Sequence, residues 1–347
     1  MIRVGIAGLG FMGMVHYLSY QKIRGVKVAA ICEKNRKRLE GDWRGIQGNF
    51  GPAGTRMDLS GVATYENLDD MLADDSLDLI DVTLPPSLHA GVAVAALKHS
   101  KHVFCEKPMA LEPRDCRKMN AAAQKADRRL LIGHVLPFFP EYAWALKAVQ
   151  SRRYGKLLGG EFRRVISDPS WLAHYWKLNV IGGPMLDLHV HDAHFIRLLF
   201  GMPRSVHTAG RMRGDLCEHW HTLFDYPDAS VAATSGTIEQ QGRSFDHGFE
   251  LQLEKATLAF RFAVSGGDGR YLCEPTVYDS KGKTKPAKLA GGDPMDAFAA
   301  ELRHVARCVR TGEDAGPLES AAAEDAILLC QKQTQSLTKG KPVKVVS

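Results

Sequence analysis

The chain has 347 residues, 45% hydrophobic and 24% charged, a balance that excludes disordered and fibrous proteins and leaves room for two domains with buried cores. Its 45 basic and 39 acidic residues give a formal charge of +6, and the clusters Lys34 to Arg38 and Lys281 to Lys288 carry no interleaved aromatics, so no nucleic-acid partner is expected. The seven cysteines include no Cys-x-x-Cys pair, which points to reduced thiols in a cytoplasm, and no apolar run is long enough to span a bilayer.

Arg3 to Ala7 reads as a short apolar strand, and Gly8-Leu9-Gly10-Phe11-Met12-Gly13 leads from it into Met12 to Ile23, where apolar residues recur at helical spacing. Ile2 to Val15 is apolar enough to resemble a secretory leader, but its glycines fall at nucleotide-loop spacing and no cleavage site follows. The pattern is the G-x-G-x-x-G dinucleotide fingerprint between a strand and a helix. Gly8 permits the tight turn, Gly10 lets backbone approach a pyrophosphate, and Gly13 lets the helix pack on the strand, while the helix N-terminus offers N–H groups to the phosphates. Phe11 and Met12 lie within that loop and are expected beside the cofactor. The next apolar run, Val26 to Cys32, ends at Glu33, about twenty residues beyond the last glycine, where a carboxylate grips the ribose hydroxyls. Glu33 favours NAD over NADP; a 2′-phosphate would need Arg36 or Lys37 to fold over the ribose.

Gly41 to Ser60 shows no period and reads as a long loop flanking the adenine pocket. Val62 to Tyr65 is a short strand, Asn67 caps a helix, and Leu77 to Leu84 is a nearly continuous apolar strand suited to the middle of a parallel sheet. Pro85 and Pro86 halt it, and Ser87 can cap the helix carrying His89 to Leu97. Strands at Val103 to Cys105 and Leu130 to Gly133 flank a helix from Pro113 to Lys125. This alternation predicts a doubly wound parallel sheet of Rossmann type over residues 1–134. Gly8, Glu33, Thr83, Glu106 and Lys107 all fall at carboxyl ends of its strands, where such sheets bind ligands.

Residues 135–347 read as a second domain of α+β type. A helix is expected over Phe138 to Gln150, followed by alternating runs at Leu157 to Ile166, Ser205 to Arg211, Glu218 to Tyr226, Ser230 to Ile238, Phe249 to Leu253 and Thr257 to Val264, which form a large, mostly antiparallel sheet. Ser265 to Gly269 is a turn, and Pro294 to Arg310 and Ser320 to Leu337 are amphipathic helices. Between two of the strands, Gly182-Gly183 precedes Asp187 and His191, which are four apart and so share one helix face. Histidine suits removal of a hydroxyl proton near neutral pH, with a carboxylate to orient it. His189, His191 and His194 are open to two other readings, packing or metal ligation, but a zinc site needs three or four ligands at a recognisable spacing that this helix lacks, so no metal is expected.

Gly-Leu-Gly-Phe-Met-Gly at 8–13, Thr83-Leu84-Pro85 with His89, Glu106-Lys107-Pro108, and Gly182-Gly183 with Asp187 and His191 together resemble the Gfo/Idh/MocA oxidoreductases, in the right order over most of the chain. The resemblance implies a catalytic trio of Lys107, Asp187 and His191, with Glu106 and Lys107 at the nicotinamide end, further cofactor contacts from Thr83, Pro85 and His89, and a Lys107–Pro108 peptide that is cis. It also implies a homodimer or homotetramer built through the second sheet. One segment departs from the family pattern: His134-Val135-Leu136-Pro137-Phe138 stands where many members carry an Asn and an Arg, so no substrate contact is carried over there. Trp171, with Trp176, is placed to stack on a sugar ring or to pack in the core. The expected activity is NAD-dependent oxidation of a secondary alcohol in a sugar, inositol or related polyol. The alternatives are a glycoside hydrolase that uses NAD in a transient oxidation and a non-catalytic NAD-binding protein.

Overall fold

A computed structural model describes the chain except for residues 49, 171, 173, 290–292 and 346–347. Two compact units are present: residues 1–139 with 291–324, and residues 140–290 with 325–347. The division differs from the single boundary at 134/135 read from the sequence, because residues 291–324 return to the first unit.

The first unit holds six parallel strands: β1 (Ile2–Ala7), β2 (Val26–Cys32), β3 (Ala63–Tyr65), β4 (Leu79–Val82), β5 (His102–Glu106) and β6 (Leu130–Gly133), in the order β3-β2-β1-β4-β5-β6. The connecting helices are α1 (Phe11–Tyr20), α2 (Arg36–Leu39), α3 (Leu68–Leu72), α4 (Pro86–Lys98) and α5 (Pro113–Ala126). The strand order reverses between β1 and β4, which makes the space beyond their carboxyl ends the topological switch point where such sheets bind ligands. Every residue of β4 is buried, although one of them is Asp81. Proline sets the start of α4: Pro85 occupies the cap position and Pro86 the first helical one, so Ser87, expected as the cap, already lies inside the helix.

The segment expected as a long loop, 41–60, is tied down where it is described. Trp43 is fully buried, packs edge-on against Tyr17 of α1 at 4.9 Å, and donates its indole N–H to the Arg38 carbonyl at 2.9 Å. Asp42 and Arg56 form an antiparallel bridge that closes the loop, and the Phe50 ring stacks on that of Phe298 at 5.3 Å.

The second unit opens with α6 (Pro140–Gln150), two residues later than expected because Leu136–Phe138 forms a separate 3-10 turn. Its sheet comprises β7 (Leu157–Ser167), β8 (Ser205–Arg213), β9 (Leu216–Asp225), β10 (Ser230–Ile238), β11 (Arg243–Leu253), β12 (Ala256–Ser265), β13 (Asp268–Asp279), β14 (Thr284–Pro286) and β15 (Val343–Lys344), in the order β14-β13-β12-β11-β7-β10-β9-β8-β15. Neighbours are antiparallel except β7 and β10. Register places Phe162, Phe249 and Phe260 side by side on adjacent strands. Tyr142 of α6 meets Phe249 and Phe260 at 5.3 and 5.4 Å, and Phe195 of α7 (Val190–Phe200) meets Phe162 at 6.3 Å, so both helices cover one face of the sheet. β13 escapes a sequence reading because its first half is exposed and its apolar residues Tyr271 and Leu272 are adjacent, without an alternating apolar signal. The last helices are α8 (Pro294–Thr311) and α9 (Ser320–Lys339), and α8 packs against α1 through Phe298, Met295 and Val15. No helix among the described residues is long and apolar enough to cross a membrane.

Candidate active site

The glycine loop is shaped by close backbone contacts. Gly8 has φ +97°, a conformation that L side chains rarely adopt, and a Cβ on Gly13 would lie 2.2 Å from the Gly8 carbonyl oxygen. Around Gly10, by contrast, a Cβ would meet nothing within 4 Å, so the loop backbone is open on that side. Gly10 is also the cap residue of α1, and no side chain caps that terminus. The open approach and the uncapped N–H groups fit a pyrophosphate. Phe11 and Met12 are half-buried at the start of the helix.

The remaining predicted cofactor residues of this unit divide into those that face the loop and those that brace it. Glu33 accepts from the Leu9 N–H at 2.8 Å and from the Asn35 N–H at 3.0 Å, which fixes its carboxylate at the end of β2. The cation over Glu33 is Arg38, 3.5 Å from its carboxylate and bonded to the Leu9 carbonyl at 3.0 Å, whereas Arg36, one of the two expected there, pairs with Glu66. Thr83 donates its hydroxyl to the Gly8 carbonyl at 2.6 Å, and Pro85 is exposed at the head of α4. His89 is fully buried: its Nδ1 lies 2.8 Å from the Pro108 carbonyl and its Nε2 2.7 Å from the Leu84 carbonyl. Burial lowers its pKa, and the two carbonyl contacts oppose that shift. His89 therefore works from behind, tying the Thr83-Leu84-Pro85 turn to the Glu106-Lys107-Pro108 turn. Lys107 is half-buried, its backbone N–H donates to Glu106 Oε2 at 3.0 Å, and the Lys107–Pro108 peptide is cis.

Behind the loop lies a buried charge cluster that the sequence reading did not single out. His16 of α1 is inaccessible, with Nδ1 2.9 Å from Asp81 Oδ2 and Nε2 3.2 Å from Glu106 Oε1. Burial alone would push this imidazole down, but Asp81 and Glu106 outweigh it and hold the ring up at about 10. Glu301 of α8 is also fully buried, and burial, reinforced by Glu106, raises its pKa well above the usual carboxylate value. The available signal was a pair of polar residues, His16 and Asp81, placed in two otherwise apolar core elements.

In the second unit, Asp187 lies in a single π-helical turn, Met185–His189, that runs into α7. Asp187 and His191 are partly exposed, while Leu186, Leu188, His189, Val190 and Asp192 are buried, so the expected pair emerges on the accessible side of the turn. Asp192 anchors the helix from below: the Arg164 guanidinium reaches its carboxylate at 2.7 and 3.2 Å and the Tyr142 hydroxyl at 3.2 Å. His189 lies 2.7 Å from the Ser235 hydroxyl, and burial pushes its ring down to about 4; His194 is also fully buried. These two histidines belong to the core. Trp176 donates to Asp168 at 3.0 Å and lies beneath the Arg213 guanidinium at 4.0 Å; Trp171 falls outside the described residues. Another trio of potential metal ligands, His304, Cys308 and Glu313, sits within 4.8 Å at the end of α8. Arg307 lies 3.0 Å from His304 and 2.9 Å from Glu313, which makes this an ion-pair network rather than a cation site.

The parallel sheet, its open glycine loop and the acid closing β2 define a dinucleotide-binding unit of Rossmann type, joined to an α+β unit. A family model described as an oxidoreductase family with an NAD-binding Rossmann fold matches residues 2–134, and a model of the Gfo/Idh/MocA C-terminal domain matches residues 142–259. The chain belongs to the Gfo/Idh/MocA oxidoreductases. An inositol 2-dehydrogenase/D-chiro-inositol 3-dehydrogenase of Lactiplantibacillus plantarum is 31% identical over 162 residues, 45% of this chain and 42% of that protein. An uncharacterized oxidoreductase of Streptococcus pneumoniae is 26% identical over 212 residues, 60% of this chain and 53% of that protein. The matches thus span about half the length of these relatives. A levoglucosan dehydrogenase in complex with NADH and levoglucosan shares the fold, with a TM-score of 0.80 and 19% identity over 100% of both chains.

Two tests follow from this geometry. Gly13→Ala should destabilise the protein by about 1–3 kcal/mol through its clash with the Gly8 carbonyl, whereas Gly10→Ala should melt like the wild type but bind NAD roughly tenfold more weakly; thermal melts and fluorescence titration separate the two. Because His16 is raised above its unfolded value of 6.5, its contribution is complete below pH 6.5 and disappears as pH climbs toward about 10. Denaturant titrations across that window should show stability falling by up to about 1.4 kcal/mol per pH unit, and His16→Gln should flatten the trend.

Proposed function

We propose that the protein is an NAD-dependent dehydrogenase that oxidises a secondary alcohol of a sugar, inositol or related polyol. The observation that carries this reading is the co-occurrence of an open glycine loop, a carboxylate closing β2 and the Glu106-Lys107 turn, all at the carboxyl ends of one parallel sheet. Relatives named as inositol dehydrogenases support the substrate class. Glu33 supports NAD over NADP, since a carboxylate at the ribose repels a 2′-phosphate, and Arg38 is the cation that a 2′-phosphate would have to recruit.

When bound, the nicotinamide supplies the hydride acceptor. The protein's own residues handle the proton and the charge. His191 removes the hydroxyl proton through its imidazole, Asp187 one turn away orients that ring, and the Lys107 ammonium stabilises the developing alkoxide. Lys107 belongs to the first unit and Asp187 and His191 to the second. Lys107→Ala should lose most turnover, on the order of a hundredfold or more, while still binding NAD. Unchanged turnover on a polyol that reduces NAD would remove Lys107 from the mechanism, and nitrophenol release from nitrophenyl glycosides without NADH accumulation would replace oxidation by hydrolysis.

We further place the protein in the cytoplasm, a compartment that suits its free cysteines, all buried but Cys273. It assembles as a homodimer or homotetramer through the sheet of the second unit. Supporting this are large apolar side chains exposed on β9 and β13, namely Leu223, Leu272 and Tyr278. Light scattering after size-exclusion chromatography should give a mass two or four times that of the chain, and Leu223→Glu should lower it; a monomer for the wild type counts against the assignment.

A further inference from the structure

We propose that His16 is a positioning residue: held as an imidazolium between Asp81 and Glu106, it fixes the Glu106 carboxylate against the Lys107 backbone and so sets where Lys107 stands at the cofactor site.

Each neighbour of His16 comes from a different element. Asp81 projects from β4, which lies between β1 and β5 in the sheet, and Glu106 ends β5. Glu301 approaches from α8, and Tyr20, one helical turn further along α1, faces Asp81. The thiol of Cys105, also buried beside Glu106 and Asp81, has its pKa raised well above the usual range and adds no charge near neutrality. The Phe104 ring, centred 5.6 Å from the imidazole, and the Phe298 ring, at 6.2 Å, complete an enclosure in which His16 and Asp81 are inaccessible.

Proton count follows from this geometry. A neutral ring that donates from Nδ1 to Asp81 would leave the bare lone pair of Nε2 only 3.2 Å from a carboxylate oxygen, with neither atom hydrogen-bonded elsewhere, a repulsive proximity in a buried site. A second ring proton converts the repulsion into a charge-assisted contact and lets one cation serve two anions. The third carboxyl group, Glu301, has both oxygens buried without a hydrogen-bond partner, an environment that favours its uncharged form and raises its pKa. Glu106 is then divided between two tasks: Oε1 faces His16, and Oε2 accepts the Lys107 N–H. Removing the imidazolium charge leaves two buried carboxylates without their cation, and Glu106 must take up a proton or move, which shifts the Lys107 backbone that it holds. The catalytic consequence rests on the dehydrogenase reading; the ring's protonation does not.

The test is made in two parts on the full chain. Long-range nitrogen–proton spectra of the labelled, cofactor-free protein, with His16 assigned by its absence in His16→Gln, should show both ring nitrogens protonated from about pH 6 to about pH 9. Glu106→Gln and Asp81→Asn should each lower the ring's titration by about a pH unit or more. A singly protonated ring at about pH 7.5, or a titration unmoved by both substitutions, overturns the proposal whether or not any substrate is found. In kinetics, His16→Gln should lower kcat on the order of tenfold to a hundredfold while KM for NAD changes little. A folded His16→Gln enzyme with wild-type kcat also overturns the positioning role. If His16→Gln does not fold, Glu106→Gln carries the spectroscopic test, with His16 assigned by its own titration shift. A wild type that reduces no NAD with any polyol refutes the dehydrogenase reading and leaves the spectroscopic outcome standing.

Discussion

The first unit depends on a carboxylate placed where a parallel sheet tolerates charge least. Asp81 sits in β4, flanked on both sides and fully buried, and the imidazole of His16, 2.9 Å away, offsets its desolvation. The pair joins α1, which follows the glycine loop, to the central strand, and through Glu106 it extends to the strand that ends at Lys107. Elements on both sides of the topological switch point are thereby coupled by one buried cation. Buried ion pairs add little net stability over an apolar core, yet breaking one from a single side costs about 3–5 kcal/mol. Such a cluster is better understood as a constraint on geometry than as a source of folding energy, and the geometry constrained here is that of the cofactor loop and the Glu106-Lys107 turn.

The second unit repeats the device with different residues. Arg164 on β7 grips Asp192 with two nitrogens and reaches Tyr142, all of them buried, so α7 is pinned to the sheet by a planar guanidinium fork. Asp187 and His191 emerge from the same turn on its accessible side. A single π-helical turn leads into the helix at this point, a distortion often found where a helix presents functional side chains. In both units the side chains assigned to chemistry sit one step away from a buried charged pair that fixes their backbone, the arrangement expected when a site must hold its geometry closely.

Some elements were readable because local chemistry alone specifies them. β1, the glycine loop and α1 form a contiguous signal in which strand pattern, turn glycines and apolar periodicity agree, and the strand expected at Leu130–Gly133 is observed over those residues. Other elements were shifted by neighbours: the expected strand Leu77–Leu84 contracts to Leu79–Val82, and the helix expected from Phe138 begins at Pro140 after a 3-10 turn. The loop 41–60 lacks a period, and what holds it is a non-local contact, the indole of Trp43 against Tyr17. Arg38, rather than the expected Arg36 or Lys37, stands over Glu33: these three basic side chains are equivalent on paper, and only the course of the backbone around Leu9 selects one of them.

The sequence by itself determined the two-unit plan: a parallel nucleotide-binding sheet followed by a mostly antiparallel one, with the glycines, Glu33 and Glu106-Lys107 at strand ends. These are properties of short segments, in which hydrophobic period, turn residues and caps act over a few positions. Only the tertiary structure decided that residues 291–324 belong with the first unit, that His89 braces two turns from beneath, and that His16, Asp81, Glu106 and Glu301 share one enclosure. These four residues are spread over 285 positions of the chain, and their chemistry arises from mutual burial. Desolvation and Coulomb coupling depend on distance in space, which no periodicity along the chain encodes.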